Sequence, residues 1–350
     1  MKAVRYHGFG GPARVEEVER PVPGPYEVLV GVGACQIGGD VLKVLAGHGP
    51  VRDAPHFRFP HIPGYRGAGR VEAVGPAVTA LRVGERVAIN GFVNCGHCAY
   101  CCSGLDNLCR RSAMLGIDSG TAGALAEFVA VPEWAAIPVP AAVSLAEATL
   151  LPNMALLVHA LERAERREGF TLAVFGCGYV GSAAIGVARA YGASRIVAVD
   201  SDPAALAFAA RCGATATVEA GDDSALAEAV GEGVDVALEV VGVAATIEGA
   251  IRSTRARGTT LLIGALDGVS TSFPDYYGEV IQKEAEIKPC FGKTQEDFAR
   301  AVDLAAAGLL DLSPYSFREY PLEQFHDALG AAAEASASEL QVVRPLRGSR

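Results

Sequence analysis

Two groups of residues have the types and spacing that chemistry needs. The first is Gly176-x-Gly178-x-x-Gly181, which follows the apolar run Leu172–Phe175 and opens the helical stretch Ser182–Tyr191. Glycines at these places make a tight turn, let the backbone approach a pyrophosphate, and let the helix pack closely with its N-terminus aimed at the charge. A bare glycine triplet is also an ordinary turn, so the strand before it and the helix after it carry the reading. The next apolar strand ends in Asp200, 24 positions after Gly176. A carboxylate there accepts hydrogen bonds from the adenosine ribose and repels a 2′-phosphate, and no Arg follows it in Ser201-Asp202-Pro203. NAD(H) is therefore expected rather than NADP(H). The expected contacts are Gly176, Gly178, Tyr179, Val180, Gly181, Asp200 and Gly264. The competing role for Asp200, capping the next helix, suits Ser201 or Asp202 better. Cys177, inside the turn, reads as packing.

The second group is Cys95-x2-Cys98-x2-Cys101-x7-Cys109. Four thiolates with no open position describe a closed tetrahedral zinc, so one structural zinc per chain is expected. Gly96 and Gly104 permit the turns such a knot needs, and Cys102, adjacent to Cys101, is a poor ligand for the same ion. The nine cysteines do not form a disulfide framework: five crowd between Cys95 and Cys109, and four are scattered in apolar surroundings.

Elements must hold these groups in place. A chain of 350 residues is long enough for two cores. Up to about Val131, short β-type runs (Glu27–Gly33, Gly67–Val74, Arg86–Ile89) are punctuated by Gly and Pro, which predicts a β-rich, partly barrel-like domain. From about Leu145, helical stretches alternate with apolar runs at Thr171–Phe175, Arg195–Val199, Val234–Val240 and Thr259–Ile263. Such alternation predicts a parallel sheet covered on both faces. After Cys290 a helix at Glu296–Ala307 and a strand at Leu340–Val343 are expected to rejoin the first domain, being too few for a core of their own. The expected division is 1–152 with 291–350, including a zinc lobe at 93–112, around an NAD-binding domain at 153–290.

The formal charge of −10, with no basic run, argues against nucleic acid and anionic membranes. The longest apolar stretch, Ala148–Leu161, is interrupted by Pro152, Asn153 and His159 and is too short to span a bilayer. No signal peptide is read in the first residues, and reduced thiols fit a cytoplasmic protein.

The chain resembles the medium-chain dehydrogenase/reductase family in its zinc alcohol dehydrogenase branch, from end to end. The residues that carry this are Met1-Lys-Ala-Val, Pro21-x-Pro23-Gly24-Pro25-x-Glu27-Val28, Gly67-x-Gly69-x-Val71, the four-cysteine lobe and the Gly176 turn. The resemblance implies an α/β fold: a split, β-rich GroES-like catalytic domain with a doubly wound Rossmann domain inserted. It also implies a cleft between them and a homodimer or homotetramer.

The resemblance breaks at the catalytic metal. Family members with that zinc take ligands from a Cys in a Cys-Gly-Thr/Ser-Asp loop, from a His in Gly-His-Glu, and from a Cys, Glu or Asp before the Rossmann domain. Here the three places read Ile37-Gly38-Gly39-Asp40, Gly64-Tyr65-Arg66-Gly67 and Leu151-Pro152-Asn153-Met154. No catalytic zinc is expected. Cys35, His48 and His61 lie nearby, but Cys35 should face the core and the histidines read as loop residues. The candidate catalytic residues are Tyr65, Arg66, Asp40 and Asn153. Tyr65 and Arg66 would offer a phenol and a guanidinium to a developing oxyanion. Equally, Tyr65 fills the volume of the metal, and Arg66 pairs with Asp40. Asn153 either orients a carbonyl or caps the helix Met154–Arg163, the role that suits it better. Tyr276 and Tyr277 line the cleft or a subunit contact. His159 and His326 read as satisfied helical residues, and Cys212 and Cys290 as packing.

The leading expectation is an NADH-dependent reductase that works without a catalytic zinc. It would add hydride to a polarised, conjugated C=C bond of a small molecule. Zinc-less relatives include enoyl and quinone reductases, and reductive cyclases of secondary metabolism. The alternatives are a carbonyl/alcohol oxidoreductase using Tyr65 in place of zinc, and a catalytically inactive NAD-bound structural or regulatory protein.

Overall fold

The computed structural model describes residues 1–47, 58–117, 122–264 and 275–346, apart from the side chains at 40 and 43. The strand Glu27–Ile37 organises the first domain. Eleven residues long and buried nearly throughout, it pairs antiparallel with Gly67–Val74, Phe128–Pro132 and Glu339–Arg344. Its Val-rich run meets those neighbours across one core that holds Val28, Val30, Val32, Cys35 and Ile37. Arg86–Ile89 and Ala136–Pro138 continue the sheet beyond Gly67–Val74. The chain's alternating N-terminus forms Lys2–Tyr6, which pairs with Ala13–Glu17.

The C-terminal segment rejoins this domain with one strand more than its sequence suggests. Ser316–Pro321 pairs in parallel with Glu339–Arg344, and the helix Phe325–Glu334 makes the crossover. Ser-Phe-Arg-Glu-Tyr-Pro hides that strand: as the sheet edge it has one hydrogen-bonded neighbour, stays mostly exposed, and needs no apolar run.

The second domain is a six-stranded parallel sheet. Its spatial order is Ala216–Glu219, Arg195–Asp200, Thr171–Phe175, Val234–Glu239, Thr254–Leu262, Glu286–Pro289. This is the doubly wound order in which the chain switches direction beside its first strand, and ligands bind beyond the carboxyl ends there. Strand Thr254–Leu262 starts five residues earlier than the apolar run. The extra residues make an irregular pairing with Val234 that passes through Arg257 at φ 56°.

The helix Leu151–Glu162 joins the two cores. It is buried almost all round, because it packs on helix Gln295–Ala306, helix Tyr179–Ala190 and the barrel strand Arg86–Ile89. Each fully buried Leu or Met side chain here contributes about 1.5–3 kcal/mol. Among the described residues, no helix is long and apolar enough to cross a membrane.

Candidate active site

The glycine turn has the shape its spacing predicts. Gly176 sits at φ 94°, and a Cβ there would lie 2.4 Å from Val241 Cγ2. A Cβ on Gly181 would fall 1.7 Å from the Gly176 carbonyl oxygen, so only glycine lets the helix approach the strand. Gly178, with open space where a Cβ would be, caps the helix Tyr179–Ala190 without a side-chain bond. The helix begins at Tyr179, three residues before the expected start at Ser182. Val180 packs its side chain on the core, so what it offers a ligand is its backbone.

Asp200 accepts from Cys177 N–H at 2.5 Å and from Asp202 N–H at 2.9 Å, while Asp202 caps the helix Pro203–Arg211. A cavity of about 380 Å³ opens beside it, lined among others by Gly176, Asp200, Asp223, Val241 and Arg252. That volume, at the carboxyl ends of the strands, suits one nucleoside half of a dinucleotide. Glu239, which the sequence reading passed over, is fully buried at the end of its strand. Its Oε1 accepts from Val241 N–H, Gly242 N–H and Thr246 Oγ1 at 2.7–2.8 Å. It thereby fixes the turn that walls the cavity. Gly264 lies against that turn, where a Cβ would meet Gly242 N at 2.2 Å and Glu239 Oε2 at 2.6 Å.

The four cysteine sulfurs form a closed cage. Cys95–Cys101 is 3.9 Å, Cys98–Cys101 3.5 Å, Cys98–Cys109 3.8 Å and Cys95–Cys109 3.6 Å. A tetrahedral zinc with bonds of about 2.3 Å sets its sulfurs about 3.8 Å apart, so the four fit that ion. Gly96 and Gly104 take φ 74° and 77° to close the knot, and Cys102 is exposed outside it. The N–H of His97, aimed at Cys95, draws that thiol down to about 6, whereas burial pushes Cys101 up to about 12.

The lobe is bolted to the second half of the chain by buried polar groups. Asn107 Nδ2 donates to Phe291 O at 2.7 Å and lies 3.5 Å from His159 Nε2. His159 Nδ1 lies 2.8 Å from Asp297 Oδ2, which also accepts the backbone N–H and hydroxyl of Thr294 at 2.7 and 2.6 Å. Burial opposes ionisation of Asp297, but bonds from His159 and Thr294 outweigh it and hold the carboxyl below its ordinary value. His326 likewise is satisfied, 2.7 Å from the Ala13 carbonyl.

Tyr65 and Arg66, the candidate catalytic pair, precede the strand Gly67–Val74. Gly64 (φ 99°) turns the chain so that Tyr65 and Arg66 enter the strand Gly67–Val74. Arg66, 7% exposed, donates from Nη2 to Tyr65 Oη at 2.7 Å, and its guanidinium carbon lies 4.8 Å from the Tyr65 ring and 5.9 Å from that of Tyr179. Tyr65 thus has a charged neighbour on its oxygen, and Arg66 bridges to the first residue of the dinucleotide helix. Asn153 does not cap: its helix begins at Leu151, capped at Leu150, with Pro152 tolerated in the first turn where no N–H bond is required. Asn153 is a buried third residue of that helix; its backbone N–H donates to Leu150 O at 3.0 Å, and its side-chain amide bonds to no described residue. The side chain of Asp40, and His48 entirely, fall outside the described residues. Cys35 is buried in the barrel core, as its strand position suggests. Among the described residues, the four-cysteine cluster is the one group of three or more His, Cys, Asp or Glu within metal-binding reach.

One more residue belongs to this place. Lys293, in the turn after the last parallel strand, is 4% exposed, with Nζ 4.7 Å from the centre of the Phe92 ring. Burial, and then the Arg66 charge, bring its ammonium down to about 7. Its position beyond a strand's carboxyl end was the signal available in the sequence.

A dinucleotide turn beside a cavity that fits a nucleoside, together with a zinc-fitting lobe, defines an oxidoreductase of the nicotinamide type. Comparison with known proteins agrees: the zinc-binding dehydrogenase family matches residues 180–307, and the alcohol dehydrogenase GroES-like domain matches residues 24–141. D-xylulose reductase A of Aspergillus niger is 32% identical over 310 residues, 85% of each chain. L-threonine 3-dehydrogenase of Bacillus subtilis is 30% identical over 330 residues, 93% of each. A dehydrogenase structure from Sinorhizobium meliloti bound to NADP superposes with a TM-score of 0.86 at 29% identity, covering 98% of this chain and 99% of that one. The chain belongs to the zinc-type medium-chain dehydrogenase/reductase family, and is an NAD(P)-dependent oxidoreductase with the GroES-like and Rossmann domains of that family.

Proposed function

We propose that this enzyme is an NADH-dependent reductase that adds hydride to a polarised, conjugated C=C bond without a catalytic metal. The observation that carries the reading is the 2.7 Å bond from Arg66 Nη2 to Tyr65 Oη, at the place where the family's metal would have a His. The phenol oxygen accepts from Arg66, and the phenol O–H is the group that would donate to a substrate oxygen. The buried guanidinium beside it would supply fixed positive charge where negative charge develops. A conjugated acceptor spreads that charge and can proceed with two donors. Gly176, Gly178, Tyr179, Val180, Gly181, Asp200 and Gly264 would hold NADH, which supplies the hydride when bound. Asp200 and Asp223 line the nucleoside cavity, with Arg252 the one cation there among the lining residues, and this acidic balance supports NADH over NADPH. The zinc of the family is assigned to Cys95, Cys98, Cys101 and Cys109 alone.

A second reading, reduction of a carbonyl through Tyr65, is favoured by the relatives named as D-xylulose reductase and L-threonine 3-dehydrogenase. NADH oxidation against a panel of enones, run beside NAD⁺ reduction with secondary alcohols, separates the two. Turnover with enones and none with alcohols is expected; alcohol oxidation alone would replace the first reading by the second.

A further inference from the structure

Lys293 has no role in hydride transfer as described, yet its placement asks for a partner. Its side chain is 96% buried, and its ammonium forms no hydrogen bond and no ion pair with any described residue. Lys is almost never buried unpaired, because removing an ammonium from water is costly unless an opposite charge replaces the solvent. The face of Phe92, 4.7 Å away, compensates in part. Geometry sets Lys293 in the neighbourhood of Arg66: its ammonium lies over Phe92, the preceding Gly91 packs against Tyr65, and Tyr65 Oη holds Arg66 Nη2 at 2.7 Å. The fold therefore holds two positive groups near one another at the domain junction.

This placement is fixed rather than accidental. Phe291 packs edge-on against Phe92 at 5.9 Å, and Asn107 Nδ2 grips the Phe291 carbonyl at 2.7 Å. On the other side Thr294 closes a capping box with Asp297, starting the helix Gln295–Ala306. Lys293 stands between two anchored neighbours, which fixes the backbone position from which its side chain reaches Phe92.

We propose that Lys293 and Arg66 form a binding site for an anionic group of the substrate, specifically a carboxylate. This rests on the reading of the Tyr65 cleft as the site of hydride transfer. A planar guanidinium and a compact ammonium complement the two oxygens of a carboxylate, each bond being charge-assisted. Tyr65 remains for the reacting oxygen, so the substrate is an unsaturated acid with its carboxylate anchored and its double bond presented to the cofactor side.

The test uses β-acetylacrylate and its methyl ester, which share the conjugated system and differ by one charge. Binding is measured by calorimetry on the NAD⁺-loaded enzyme, where no turnover occurs, so the result is independent of whether the C=C reading holds. The acid is expected to bind about tenfold or more tightly than the ester, the gain of one charged hydrogen-bonded pair. In Lys293→Met that ratio should collapse below about threefold, and in Lys293→Arg it should largely persist. A ratio near one in the unmodified enzyme overturns the proposal without any variant, as does a ratio that survives Lys293→Met. A loss of NADH affinity in Lys293→Met with the acid-to-ester ratio unchanged assigns the cations to the cofactor's pyrophosphate, and also overturns it. NADH oxidation with the same pair is a separate reading: acid binding without oxidation sinks the reductase assignment and leaves the anion site standing.

Discussion

Replacing Tyr65 by Phe deletes one oxygen and leaves the ring in its packing against Gly91. If the phenol donates to the substrate, turnover should fall about 10²- to 10⁴-fold, the usual span for a general acid, with NADH affinity nearly unchanged. Steady-state kinetics beside a separate cofactor titration decides this, and a turnover within a few-fold of the unmodified enzyme would make Tyr65 a space-filler. At this scale the sequence named Tyr65 and Arg66 as candidates, but could not show the 2.7 Å bond between them. For Asn153 the sequence reading erred. It started the helix at Met154, whereas Pro152 lets the helix begin three residues earlier, at Leu151, and denies Asn153 the cap.

At the scale of elements, the end of the strand Arg195–Asp200 does two things with one carboxylate. Asp200 ties down the Gly176 turn through Cys177 N–H and faces the cavity that fits a nucleoside. Asp200→Ser removes the charge and one of two acceptor oxygens. NADH should bind about tenfold or more weakly, while NADPH loses less because repulsion of its 2′-phosphate is also removed. Calorimetric titration of both cofactors should show the NADH preference narrowing; an unchanged preference would mean that Asp200 does not reach the ribose. The strand, turn and helix here were legible because each lies within a few residues of the next. Glu239 was not, since a charged residue ending an apolar strand looks like its exposed end until Val241, Gly242 and Thr246 fold onto it.

For the whole molecule, the zinc lobe is a clamp. Asn107 and the His159–Asp297 pair connect it to the segment that carries Lys293, so metal at Cys95, Cys98, Cys101 and Cys109 should support the cleft from a distance. Elemental analysis is expected to find one zinc per chain, and two would restore a catalytic metal. Chelation should lower the melting temperature by several degrees or more, because a closed site contributes its binding energy to folding. Scanning calorimetry with and without chelator reads this; an unshifted transition would make the lobe dispensable to stability.

What the sequence by itself determined were features closed over short distances: the glycine turn, the cysteine cage, and the alternation of strand and helix. Backbone sterics and ligand spacing are local, so residue order suffices to specify them. What only the tertiary structure decided were the pairs remote in the chain: Lys293 beside Arg66, Asn107 on Phe291, His159 on Asp297, Gly264 against Glu239. Their energies depend on burial and on which charges share a low-dielectric space. Those quantities exist only once the two domains have closed around the cleft.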